Sequence, residues 1–212
     1  MLELFHHPGF VSLAALIALE EAGALYQCTP VDFAHGENRS PAFLAVNPYG
    51  QVPALKLPNG VVITETVAIM CYIAGEYRAA TLAPTRPVEY ALWIAAMARM
   101  ASEYHPTFTR VVRPDMTVDG AAAQAQVQAA ARTRYASHLA ELDERLTASP
   151  WIVGEAHTLA DAHAFVFFEW GTRAGFPMAE YERLRAWHER MLGREAVQRA
   201  LASEMRRSAS AS

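Results

Sequence analysis

Cysteine is scarce in this chain, with Cys28 and Cys71 the only two among 212 residues. Two cannot staple a disulfide-rich secreted scaffold, and neither lies in a CxxC or CxxH spacing. A basic surplus is lacking as well. Lysine and arginine number 18 against 22 acidic residues, a net charge of −4. Nothing is left over to neutralise a phosphate backbone, so no nucleic-acid partner is expected. No run of about 18 apolar residues occurs, so no membrane span is expected. The start, MLELFHHPGF, carries neither a basic stretch nor a long apolar one, so no secretory signal is expected and the expected compartment is the cytoplasm. What the chain does have is a hydrophobic fraction of 52%, ample for a core that needs no disulfide or metal staple. A soluble cytoplasmic enzyme or binding protein remains.

The first 80 residues read as mixed α/β. Leu2 and Leu4 alternate with Glu3, as in a short strand. His7, Pro8 and Gly9 break it. Ser12 then precedes Leu13, Leu16 and Ile17 at helical spacing, with Gly23 as the stop signal. Residues 26–33 suggest a second strand, with Pro30 making it an edge strand or ending it early. Ser40-Pro41 opens a short helical stretch. Leu55 and Leu57, the Pro58-Asn59-Gly60 turn and Val61 to Ile63 form the clearest hairpin. A helix is predicted from Glu65 to Tyr77. The order is β-α-β-α-β-β-α.

Residues 78–87 carry two prolines and read as a linker. Everything afterwards reads as helical. Trp93, Met97, Met100 and Tyr104 recur every three or four residues, and so do Val127, Ala131, Tyr135, Leu139, Leu142 and Leu146. A third helix is predicted to start at a capping box, Thr158 to Asp161, and a fourth is marked by Leu184, Trp187 and Met191. The tail 206–212 is small and polar and is expected to fray.

The chain resembles a glutathione transferase, most closely the bacterial beta-type class. Four local matches carry the resemblance: NPYGQVPAL (47–55), TETVAIMCYIA (64–74), SEYHPTFTRVVRP (102–114) and WIVGEAHTLADAHAF (151–165). They span nearly the whole chain in the family's order. The resemblance implies a thioredoxin-like α/β domain at 1–78, a linker at 79–87 and an all-α helical domain at 88–212. It also implies a homodimer, and detoxification as the role.

The family's ligand is an extended anionic tripeptide with one amine and one thiol. The resemblance makes the Val52–Pro53 bond cis, which would turn the Val52 backbone outward to pair with the cysteinyl unit as an added strand. A trans proline opening a strand is the ordinary alternative. Glu65 and Thr66 take the γ-glutamyl end, where a helix N-terminus offers unpaired amides to a carboxylate and Glu65 faces the ammonium. Thr64 is the ordinary candidate cap of that helix. Gln51 is a further candidate for the same end. His35 falls where relatives place a basic residue near the glycyl carboxylate, and is otherwise a solvated loop histidine.

A free thiol has a pKa of about 8.5, so the bound sulfur needs a donor, a cation or a helix N-terminus to ionise at neutral pH. Here the chain departs from the class. Beta-type relatives carry a cysteine in the turn before the first helix, and this chain has Val11 there. A mixed disulfide at that position is excluded. Ser12 remains as the candidate catalytic donor, with a plain helix N-cap as the alternative. His105 matches the class histidine said to face the sulfur, and is otherwise a partly buried helix-end residue. Phe10, Met97, Met100, Tyr104 and Phe108 are candidates for an apolar substrate pocket, although a stripe of this kind also suits plain core. His6 and His7 have no third ligand at metal spacing, so no metal is expected.

The leading expectation is a transferase that joins reduced glutathione, its co-substrate, to small hydrophobic electrophiles. The alternative is a non-catalytic glutathione or hydrophobic-ligand binder on the same fold. Isomerisation or reductive dehalogenation ranks lower, because Pro8-Gly9-Phe10-Val11-Ser12 lacks the Ser-Ser-Cys type motif of isomerase relatives. Cys28 and Cys71 are expected to be buried and structural.

Overall fold

Leu2–His6 forms β1 at the centre of a four-stranded sheet, and the computed structural model describes the chain from residue 1 to residue 210. The chain divides by contacts into two units, Met1–Pro84 together with the segment from Leu192 onward, and Thr85–Met191.

In the first unit β1 is followed by α1 (Ser12–Glu21), β2 (Tyr26–Pro30), α2 (Pro41–Leu44), β3 (Ala54–Lys56), β4 (Val62–Thr64) and α3 (Thr66–Glu76). The strand order is β2-β1-β3-β4. β2 runs parallel to β1, with His6 opposite Pro30, while β3 is antiparallel to both β1 and β4. This is the expected β-α-β-α-β-β-α order. Pro30 closes an edge strand, where its missing N–H costs no ladder bond. The hairpin turns as its residues predict. Leu57 N–H donates to Val61 C=O at 2.8 Å, and Asn59 Oδ1 accepts from Val61 N–H at 3.1 Å.

α1 is sunk into this unit: Ser12 through Leu19 are all buried. An all-round apolar helix of this kind is a core element rather than a surface one. It ends on Gly23 at φ +61°, with Ala24 N–H donating back to Leu19 C=O at 3.0 Å. Cys28 and Cys71 are half-buried, not fully buried as expected.

The helical unit holds α4 (Pro87–Arg99), α5 (His105–Val112), α6 (Ala121–Arg145), α7 (Leu159–Arg173) and α8 (Glu182–Leu192), the last running to the unit's edge. Its core is aromatic: Trp93, Tyr104, Tyr135, Phe165, Phe167 and Trp187 are all fully buried. The single stripe through Trp93 and Tyr104 is in fact two helices joined by a π-helical turn over Met100–Tyr104. Pro106 explains the break, since it has no N–H to give to the carbonyl four residues back.

The capping box at α7 forms as predicted. Asp161 is wholly buried and gathers four donors. Ile152 N–H and Trp187 Nε1–H reach Oδ1, each at 2.9 Å, and Thr158 N–H and Oγ1 reach Oδ2 at 2.9 and 3.3 Å. Burial pushes its carboxyl up to about 6, against the pull of those donors.

A further helix, α9 (Glu195–Ser210), continues the chain within the first unit. The expected helical domain at 88–212 ran to the end of the chain, whereas this stretch packs on α1. Arg194 makes a two-point ion pair with Glu21 at 2.5 and 2.8 Å, and Arg199 pairs with Glu20 at 2.7 Å. The polar tail expected to fray is helical through Ser210. Ala211 and Ser212 lie outside the described residues. Among the described residues no helix is long and apolar enough to cross a membrane.

Replacing Asp161 by alanine strands two amides and an indole N–H in the core. Asp161→Ala is expected to lower the unfolding free energy by roughly 3 kcal/mol. Urea unfolding followed by tryptophan fluorescence measures it, and a loss below about 1 kcal/mol would contradict the hub assigned to this carboxylate.

Candidate functional site

Strand register gathers three chain breaks at one end of the sheet. Ala54 pairs with Phe5 on one side and with Thr64 on the other. Just beyond that level β1 gives way after His6 to the turn that opens α1, Pro53 leads into β3, and β4 passes through Glu65 into α3. β2 ends level with His6 and releases the 31–39 loop at the same end.

The segment before β3 is held by buried Asn47. Its Nδ2 donates to Gln51 C=O at 2.8 Å and its Oδ1 accepts from Tyr49 N–H at 3.1 Å. Gly50 sits at φ +65°, and a Cβ there would stand 2.7 Å from the Asn38 carbonyl oxygen. Only glycine fits that approach. The Val52–Pro53 bond is cis, as the resemblance implied. The Val52 side chain packs into a small core with Phe5, Val31, Phe43 and Ala54. Gln51 is exposed, and its carbonyl is committed to Asn47.

Glu65 occupies the junction of β4 and α3 at φ +69°, ψ 122°. A non-glycine residue there stores about 1–3 kcal/mol of backbone strain, which persists where the surroundings over-determine it. Thr64 therefore ends the strand rather than capping the helix. Thr66 is the first helical residue and is buried. The leading amides of α3 have no intrahelical acceptor, so the end of the helix is suited to a carboxylate.

Ser12 departs from expectation. The N-cap of α1 is Val11, and Ser12 is the first helical residue. Its fully buried hydroxyl accepts from His7 N–H and donates to His7 C=O, both at 3.2 Å. The proton proposed for a sulfur is spent on a backbone carbonyl, so Ser12 works as a clamp on the preceding turn. Val11 is buried and offers no donor side chain. The His7 ring lies 2.8 Å from Val31 C=O through Nδ1. A carbonyl only accepts, so the proton sits on Nδ1. His7, Phe10 and Phe33 then form an aromatic trio, with centroids 4.4, 5.1 and 4.8 Å apart.

His35 is exposed on the 31–39 loop, its Nδ1 2.6 Å from Asp32 Oδ2. The hydrogen bond to Asp32 raises its pKa and favours the charged ring.

The remaining candidates belong to the helical unit's own aromatic core. His105 packs edge-on against Trp170 at 5.1 Å, and burial lowers its pKa, so the ring is neutral at pH 7. Phe108 stacks on Trp170 at 4.7 Å, Tyr104 stacks on His138 at 4.2 Å, and Met97 and Met100 are buried. Burial, and next Glu141, pushes the Tyr104 hydroxyl well above the usual phenol range. His163 lies among these rings with both nitrogens lacking a hydrogen bond. Burial above all, then His105, lowers it to about 3.

Asn47 and Phe33 were missed from the sequence, whereas His7 stood out as a residue at the end of the first strand that could border the site. Asn47 carried a local signal, an asparagine before a Pro-x-Gly turn.

Comparison with known proteins follows the same division. The model described as "Glutathione S-transferase, N-terminal domain" matches residues 1–75, and its C-terminal counterpart matches residues 99–195. The chain is 33% identical to the glutathione S-transferase GstA of Escherichia coli O157:H7 over 205 residues, covering 96% of this chain and 98% of that one. Among solved structures it is similar to a glutathione transferase homologue from Sulfitobacter with bound glutathione. The TM-score there is 0.91 at 32% identity, covering 97% of this chain and 99% of that one. It is also similar to the bacterial beta class glutathione S-transferase of Sphingomonas chungbukensis, with TM-score 0.85 at 35% identity, covering 95% and 98%.

The folded chain refuses at His163 a proton that the unfolded chain accepts below about pH 6.5. Stability from this residue is therefore full above pH 6.5 and falls as pH drops toward 3, by up to about 1.4 kcal/mol per pH unit. His163→Met is expected to flatten that part of the slope in urea titrations run from neutral pH to about pH 4. An unchanged slope would show that His163 does not set it.

Proposed function

The chain belongs to the glutathione transferase family, and on that premise we propose that it binds reduced glutathione along β3 and transfers it, as a stabilised thiolate, to small hydrophobic electrophiles. The observation that carries this reading is the convergence of the cis Val52–Pro53 edge with the strained Glu65 junction at one end of the sheet.

Each part of the tripeptide has a matching group. The γ-glutamyl carboxylate takes the first amides of α3 and the Thr66 hydroxyl. Glu65 meets the ammonium, with Gln51 beside it. The cysteinyl backbone pairs with Val52 N–H and C=O as an added strand. His35, whose charged form Asp32 favours, meets the glycyl carboxylate. The sulfur rests against the first turn of α1, where the helix end carries about half a positive charge and favours the thiolate. Ser12 serves by fixing the turn. The Phe10, His7 and Phe33 rings offer an aryl electrophile an apolar wall within the same unit. His105 and the Met97, Met100, Tyr104 and Phe108 set keep, in this reading, the positions that the family resemblance implies.

A second reading, a non-catalytic binder, also has specific support. Val11 has no donor and the Ser12 proton is spent, so at the first turn of α1 activation falls on backbone amides. Ultraviolet titration of bound glutathione separates the two, since only a transferase lowers the thiol pKa.

We also propose a homodimer working in the cytoplasm in detoxification, as the similarity to bacterial glutathione transferases suggests. Val88 and Leu92 stand exposed one turn apart on α4, an apolar face suited to a partner. Sedimentation is expected to give twice the monomer mass, and a monomer at micromolar concentration would overturn the dimer.

Turnover is expected with an aryl halide or an isothiocyanate. No rate above background with either, together with an unshifted thiol pKa, would overturn the transferase reading. Thr66→Val removes a donor to a carboxylate at nearly constant shape. It is expected to raise the KM for glutathione roughly tenfold with kcat nearly unchanged.

A further inference from the structure

Glu204 on α9 reaches the turn that opens α1. Its Oε1 accepts the Gly9 N–H at 3.0 Å and lies 3.3 Å from His6 Nε2. The His6 ring is fully buried, and that approach lacks hydrogen-bond geometry. α9 and the residue before it thus meet α1 at both ends: Arg194 and Arg199 hold Glu21 and Glu20 at the C-terminus of α1, and Glu204 holds the turn before its N-terminus.

The two ends differ in kind. The arginine pairs tie one helix to another. Glu204 instead sets its carboxylate, largely out of water, against a backbone amide and an imidazole. Burying a carboxylate is costly unless it is well partnered, and here the bond falls on the His7–Phe10 turn. Ser12 grips the same turn at His7 from inside α1. Gly9 at φ +78° takes a conformation that favours glycine. Beyond the two held residues, His7 and Gly9, the chain passes through Phe10 to Val11 and Ser12, whose amides lead α1.

We propose that Glu204 is a positioning residue for the transferase site: by holding Gly9 it fixes the direction in which the first amides of α1 face the bound thiol. This rests on the glutathione reading above. It assigns the last helix a role in thiol activation through the backbone, in a chain whose side chains at 11 and 12 supply no free donor.

Glu204→Met keeps the length of the side chain and removes the acceptor. The Gly9 amide is expected to exchange with solvent at least about tenfold faster, and kcat with an aryl halide to fall about tenfold, the scale of a small misplacement. The pH at which bound glutathione ionises is expected to rise, while the KM for glutathione stays within about twofold, since the β3 and α3 seats are untouched. Glu204→Gln retains an acceptor oxygen and is expected to recover most of kcat. Should the methionine variant fail to fold, Glu204→Asp, one methylene short of Gly9, is expected to show the same loss of kcat with KM kept. The proposal is overturned if the folded variant exchanges Gly9 at the wild-type rate, if kcat and thiol ionisation are unchanged, or if Gln is as defective as Met. A wild-type protein that neither binds nor ionises glutathione would instead sink the transferase reading. Gly9 exchange would then decide the clamp alone.

Discussion

β3 is only three residues long, yet it is paired on both edges, and its register decides where everything else falls. Ala54 stands between Phe5 and Thr64. The chain just before β3, just after β1 and just after β4 must therefore meet at one end of the sheet. A slip of one residue would move Leu55 to the opposite face of the sheet and carry Val52 away from Glu65. Both faces are buried here, so size opposes the slip: the space filled by Ala54 would have to admit a leucine.

Around that register the molecule uses buried polar hubs to fix irregular backbone. Asn47 holds the loop before the cis bond, Ser12 holds the turn before α1, and Asp161 holds the entry to α7. Each satisfies backbone groups that a loop would otherwise leave unpaired, where an orphaned group costs about 1–3 kcal/mol. Two of the three lie at the candidate site. Strain stands there too, at Glu65, and it is tolerated because β4 fixes one side of the junction and α3 the other. The site is thus built mostly from main chain, held in place by side chains that face inward.

Much of this was legible in order along the chain. Asn59-Gly60 marked the hairpin, Thr158 and Asp161 marked the start of α7, and the Gln51-Val52-Pro53 segment marked the turn before β3. These are local signals, readable from neighbours in sequence. The π turn was hidden inside a continuous stripe, although Pro106 was visible. Thr64 and Ser12 looked like caps because both are good cap residues, and tertiary constraints placed Glu65 and Val11 there instead. α9 was missed because the polar tail masked Val197 and Ala200, which are buried only through packing on α1.

The sequence by itself determined the element order, the α/β and all-α halves, the family and the absence of a cysteine at position 11. These follow from periodicity, turn chemistry and residue identity, which are properties of neighbours. The tertiary structure alone decided which side of Ser12 its proton serves, that Glu65 takes a left-handed backbone, and that a carboxylate from residue 204 meets the amide of residue 9. Those depend on direction and distance between segments far apart in the chain. Hydrogen bonds form or fail within a few tenths of an ångström and a few tens of degrees, a resolution that residue type and spacing do not carry.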